Sequence, residues 1–273
     1  MLSNIIKTEW LKIKRYPAFW WVMGITALTY PGINYIFINV YQNITDKQSS
    51  SGQILKALIG NPFSFPEAWK TVAYFSSIFV FIPAIVIIML ITNEYTYKTN
   101  RQNIIDGWSR KDFMIGKLID VLILSAIVTL LYSIVALVIG LTNTTNAAAD
   151  KWQMAYYIGL FAMQTFSQLS LAFMVGLLIR KSFIALAVFS FYFIIAEPIA
   201  VNVLHYKYKN EIGKFFPLEV SHRLLPKPAF VGRIDETAYK AALEAVKYHV
   251  GYTLVLIIIT WAFCFWINSR RDL

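Results

Sequence analysis

Residues 92–117 read Thr-Asn-Glu-Tyr-Thr-Tyr-Lys-Thr-Asn-Arg-Gln-Asn-Ile-Ile-Asp-Gly-Trp-Ser-Arg-Lys-Asp-Phe-Met-Ile-Gly-Lys. The stretch is polar, basic and aromatic, and it stands between two long apolar runs. Its residues divide it into two structured pieces. Asn100 to Asp106 cover about two helical turns, with Ile104, Ile105 and Trp108 on one side. Gly107 suits the left-handed position that ends a helix. Ser109 opens the next helix, and Asp112 three residues on completes a capping-box pattern. A disordered linker has no use for such stops and starts. The pattern predicts a short cross-helix at a membrane surface, apolar on one side and charged on the other, which is the shape of a docking element.

The runs around it set the class. Of 273 residues, 58% are hydrophobic and 16% aromatic, and only 15% are charged. The mean hydropathy is +0.55. Soluble domains run ~25% charged, so the composition predicts an all-α, polytopic membrane protein. The net charge of +10 falls at the ends of apolar runs, where Lys and Arg anchor to anionic headgroups. That placement argues against nucleic acid as the partner.

Outward from the central stretch, the second span covers 71–91 with Pro83 inside it, and the third covers 115–141. The first covers 18–40, where Pro31 and Gly32 predict a kink. The fourth is 154–179, the fifth 183–204 and the sixth 248–267, its helix starting near Asp235. Ahead of them, 2–16 places Leu2, Ile5, Ile6, Trp10, Ile13 and Tyr16 on one helical face, with Lys7, Lys14 and Arg15 opposite. This predicts an N-terminal interfacial amphipathic helix, with 1–17 as one unit and 18–273 as the six-span domain. Because the first apolar run follows a basic segment and is as long as a full span, it reads as a span and not as a cleaved leader. Two polar segments stand out: the loop 93–114 and the basic segment 205–247. Six spans put both termini on one side. That side carries 13 of the 25 Lys and Arg in short loops, which favours the cytoplasm.

Chemistry-bearing motifs are few. No phosphate-binding Gly-x4-Gly-Lys-Ser/Thr loop occurs. His205, His222 and His249 lack metal-ligand spacing, and no Gly-x-Ser-x-Gly elbow is present. The chain is therefore not expected to be an enzyme. Cys264 has no second cysteine to pair with. Glu197 is the carboxylate placed clearly within an apolar run, and intramembrane ionisable groups are functional candidates; interfacial water or a loop lysine are its alternative partners. Asp120, near Lys117, reads as a surface carboxylate.

The layout and the motif at 99–117 resemble the membrane permease subunits of type-2 ABC exporters. The resemblance in layout covers nearly the whole chain, and the motif is similar to the pattern RQ-x-I-x-DG-x-SR-x-x-F-x-x-x-K of bacterial members. It implies a separate ABC ATPase subunit that carries ATP and Mg, with no cofactor bound by this chain. It also implies a second permease chain, same or related, and a bacterial cytoplasmic membrane with both termini inside. The loop 100–109 would be the coupling helix, with Arg101, Gln102, Asp106, Gly107, Ser109 and Arg110 at the motif's polar and turn positions. Ile104, Ile105 and Trp108 would form its packed side. Glu94 would pair with Arg101 or Lys98. The helix at 2–16 would be the connecting helix, and 205–247 the external re-entrant helices. The function implied is export of a hydrophobic or amphipathic substrate. A stand-alone carrier or channel is the alternative, and it would need no ATPase.

Overall fold

Each of the six apolar runs folds as helix. The computed structural model describes residues 2–45, 60–145, 150–209, 211–232 and 235–270, and among these no strand occurs. In chain order the helices are α1 (Leu2–Arg15), α2 (Pro17–Thr45), α3 (Ala68–Ser77), α4 (Phe81–Thr96), α5 (Thr99–Ile105) and α6 (Arg110–Asn143). After them come α7 (Tyr157–Ile179), α8 (Ser182–Tyr206), α9 (Pro217–His222), α10 (Ala229–Gly232) and α11 (Glu236–Arg270). Five of these, α2, α6, α7, α8 and α11, are long and apolar enough to cross a membrane, and α3 with α4 makes a sixth if the bent pair is one span.

The bend in that pair is 50°. The expected second span is thus longer than 71–91 and broken. Pro83 offers no N–H and crowds the carbonyl four residues back. The chain meets this with tight i to i+3 bonds at Phe79–Ser76 and Val80–Ser77 before α4 begins. By contrast α2 runs through Pro31 without a break. In α8, five residues of π-helix, Tyr192–Ala196, precede Glu197-Pro198, a widening that accommodates the proline ring.

α7 is the core helix. Of its most apolar stretch 61% is buried, against 22% for α2 and for α8, and it packs against α3, α4, α6, α8, α9 and α11. The outer helices leave large apolar side chains exposed along their length, such as Leu28, Leu130, Phe183 and Ile258. An apolar outside around a packed inside is what lipid as solvent requires.

Contacts sort the loops onto two ends. At one end lie α1, α5, the α7–α8 turn and the last residues of α11: Arg110 donates to the Ser269 carbonyl (2.9 Å), and the Thr92 and Ser182 hydroxyls meet at 2.6 Å. At the other lie residues 60–70, 143–157 and the start of α11, where the Trp69 indole donates to the Lys151 carbonyl (2.8 Å) and Lys70 Nζ bonds the Tyr239 hydroxyl (2.7 Å). α1 and the last turn of α11 therefore share an end.

Candidate functional site

The central loop folds as its punctuation predicts. Lys98 turns the chain with φ +56°, α5 follows, and Gly107 ends it with φ +96°, a conformation that costs a glycine nothing. Ser109 caps α6: Asp112 N–H donates to Ser109 Oγ (3.1 Å) and Ser109 N–H to Asp112 Oδ2 (3.0 Å). Gln102 donates to Asp106 across one turn (3.2 Å). Asn268 Nδ2 donates to the Arg110 carbonyl (3.2 Å), so the loop is also fastened to the end of α11.

The three apolar residues do not share one environment. Ile104 and Trp108 are half-buried, whereas Ile105 is 77% exposed. The outward face of α5 also carries Arg101, Gln102 and Asp106. Ile105 thus adds an apolar point to a polar surface, and the packing side is made by Ile104 and Trp108.

Beneath α5 sits a cluster of charges from three other helices. Lys117 of α6 is 2% exposed, and its ammonium meets Glu9 of α1 (2.5 Å), Glu94 of α4 (2.9 Å) and Asp120 of α6 (3.0 Å). Lys12 of α1 bridges the same two glutamates at 2.8 and 3.0 Å and lies 5.8 Å from the centre of the Trp108 ring. Thr99 Oγ1, in the first turn of α5, donates to the Glu94 carboxylate. Glu9, Glu94 and Asp120 are each 5% exposed or less. Burial alone would push the Glu9 carboxyl up, but the ammonium groups of Lys117 and Lys12 hold it below the usual carboxylate range. Gly116 lets α1 come this close, because a Cβ there would stand 3.3 Å from Glu9 Cγ.

Two expectations are corrected here. Glu94 is at the site, but its partners are Lys12, Lys117 and Thr99, not Arg101 or Lys98. Asp120 is not a surface group: it lies one turn beyond Lys117 and is sealed by α1. The reading of α1 by its apolar face passed over Glu9. Yet Glu9 is the sole acid in α1 and stands four residues from both Ile5 and Ile13, the residues α1 buries. That spacing was the available signal.

Each buried ion costs several kcal/mol to desolvate, which only multiple partners offset. The cluster has such partners, and they come from three helices. α5 is consequently fixed at both ends, through Thr99 to the cluster and through the capped start of α6, and is joined to α1, α4 and α6 as one body.

Glu197 lies apart, about 15 residues of rise, roughly 22 Å, from the start of α8. It is 3% exposed and accepts the Glu219 N–H (2.5 Å) at the first turn of α9. A carboxylate there complements the helix's positive end, so the protein partner it meets is backbone and not a loop lysine. Among the described residues no group of three His, Cys, Asp or Glu is placed to hold a metal ion.

No curated protein matches the chain. A family model does, over residues 28–273, a stretch that takes in α5, Glu94, Lys117 and Asp120. Since that covers most of the sequence, the chain belongs to the family described as Protein of unknown function (DUF2705).

Proposed function

We propose that this chain is the permease subunit of a type-2 ABC exporter, which couples ATP hydrolysis by a separate nucleotide-binding subunit to export of a hydrophobic or amphipathic substrate. The observation that carries the reading is the joining of α5. A seven-residue helix on a loop would yield under load. Here Thr99 at its base bonds Glu94, and the buried ion pairs of Lys117 join Glu94 to α1 and to the long helix α6. A push on its outer face therefore reaches the bundle as a rigid displacement. That outer face offers Ile105 ringed by Arg101, Gln102 and Asp106, a small apolar point with a polar rim, as docking surfaces have.

Two further features support it. α1 exposes Ile6, Trp10 and Leu11 between Lys7, Lys14 and Arg15, which suits a connecting helix lying in the headgroup layer of a bacterial cytoplasmic membrane with the termini inside. Two small cavities, one between α1, α2, α4 and α6 and one between α4, α6 and α7, have no room for a water molecule. A path for a bulky substrate then belongs between two permease chains, same or related. ATP and Mg act on the partner ATPase, so this chain is not itself an enzyme.

The test is co-purification from mild detergent with an ATP-binding chain, followed by Ile105→Asp and Trp108→Ala. Ile105→Asp is expected to weaken ATPase capture about tenfold or more with the yield of inserted permease unchanged. Trp108→Ala is expected to separate ATP turnover from transport. If both variants keep coupled transport at normal rates, the docking role is wrong. If the chain works alone in liposomes, a stand-alone carrier or channel replaces this reading.

A further inference from the structure

Though α7 is the core helix, residues 164–170 read Gln-Thr-Phe-Ser-Gln-Leu-Ser. Polar groups at that depth in a spanning helix are costly unless paired. Gln164 and Gln168 are both fully buried and one turn apart on a single face. Gln164 Nε2 donates to His222 Nδ1 (3.2 Å), and Gln168 Nε2 donates to Ser221 Oγ (3.3 Å). Both acceptors belong to α9. The two amide oxygens and the neighbouring Thr165 hydroxyl are buried with no hydrogen-bond partner. Most buried polar groups in folded proteins are paired, so a row of unpaired acceptors on the core helix calls for a donor.

The element facing that row is a short helix. α9 has six residues, too few to hold a helix by itself. Its anchors are side chains of other elements: Glu197 takes the Glu219 N–H, and the Thr253 hydroxyl donates to the Val220 carbonyl (3.4 Å). The charges it carries are satisfied locally, since Arg223 bonds Glu219 at 2.8 Å. α7 has no Asp, Glu, Lys or Arg along its length, so its side of the seam presents amide and hydroxyl oxygens and no charge.

We propose that the seam between α7 and α9 is a binding site for uncharged N–H groups of the kind a peptide backbone carries, which take the amide oxygens of Gln164 and Gln168 when α9 moves aside. The proposal rests on the exporter reading and names its substrate class. Oxygens that only accept select for donors, and the absence of charge on the α7 side of the seam selects for neutral ones.

The experiment uses the full chain in proteoliposomes, with Cys264→Ser as background and Ser221→Cys as a near-isosteric reporter against Gln168. A membrane-impermeant methanethiosulfonate reagent should label this thiol, whereas a thiol from Ala172→Cys, one turn deeper on α7, stays unlabelled. N-acetyl-trialanine amide at saturating concentration should slow labelling about tenfold, and its fully N-methylated analogue, which has no N–H, should not. If Ser221→Cys is as inert as Ala172→Cys, the seam does not open and the proposal falls. It falls equally if both peptides protect alike, because binding would then owe nothing to N–H donation. No ATPase enters this assay, so a failure of docking at α5 and a failure here are read separately.

Discussion

The two ends of the bundle are held by different chemistry. At the end that carries α1 and the last turn of α11, Glu9, Lys12, Glu94, Lys117 and Asp120 share four close ion contacts around two ammonium groups besides the local Glu9–Lys12 pair. At the opposite end a buried ion pair, Lys70–Glu67 (2.7 Å), stands among neutral groups that bond to backbone or to one another: the Tyr132 hydroxyl to the Trp69 carbonyl (2.7 Å), Phe65 N–H to Thr144 Oγ1 (2.8 Å), Asn61 to the Asn143 carbonyl (3.2 Å). Rings fill the rest, with Trp69 over Trp152 and Tyr41 beside Phe63 and Phe230. Buried ions depend on all their partners at once, whereas neutral bonds are lost one at a time. One end thus moves as a block and the other can loosen in steps. Such an asymmetry suits a machine driven from one end and opened at the other.

The largest expected effect breaks the first half of that comparison. Lys117→Met fills the same space without charge and leaves Glu9, Glu94 and Asp120 facing one another. Removing one partner from a buried ion group costs about 3–5 kcal/mol, so the variant should lose most of its folded yield or show a sharp fall in Tm in detergent. Adding Glu94→Gln and Asp120→Asn removes the repulsion and should recover part of the loss. A Lys117→Met protein with unchanged Tm would mean that the cluster is solvated, and the block would be no block.

How much of this was legible in the sequence follows the same division. Most local signals were read correctly, the placing of Ile105 on the packed side of α5 excepted. The Ser109–Asp112 capping box, the glycine stop at 107 and the start of the last helix at Asp235, which caps Ala238 N–H at 3.0 Å, each depend on residues within four positions. The six apolar runs were equally plain, because a long apolar helix writes itself into composition. Pairings across the fold were not legible. Glu9 meets Lys117 over 108 positions and Glu94 meets it over 23, and no periodicity encodes such a distance. Lys70 shows the same limit. It falls just outside the span expected at 71–91, yet it is 2% exposed inside α3, where Glu67 and Tyr239 satisfy it.

A smaller effect tests the opposite end. Tyr132→Phe keeps the ring stacked on Phe161 at 4.3 Å and deletes only the hydroxyl that serves the Trp69 carbonyl. The expected loss is about 1–2 kcal/mol, a drop of a few degrees in Tm with yield retained. A loss as large as that of Lys117→Met would erase the distinction between the ends.

The smallest effect separates the ends by pH. The His222 imidazole is held below its ordinary 6.5 by burial, which Glu219 only partly opposes, and its Nδ1 accepts the Gln164 amide proton, as the neutral ring does. A depressed pKa means that the unfolded chain binds the proton first. Stability is then intact above the ordinary value and falls as pH drops below it. Glu9 is also depressed, from an ordinary 4.5, so its contribution stays intact until more acidic conditions. Between about pH 7 and 5.5, the seam at α9 should therefore weaken while the ion cluster holds. His222→Gln keeps a polar partner for Gln164 and cannot titrate, so, compared in a His249→Gln background because His249 also meets the Val220 carbonyl of α9, it should flatten the Tm profile across that window. Hydrogen exchange should locate the loosening in α9 and leave α1 and α5 protected. If acid loosens α5 first, the end that carries α1 and the last turn of α11 is the weaker one, and the proposed direction of force through the bundle would have to be reversed.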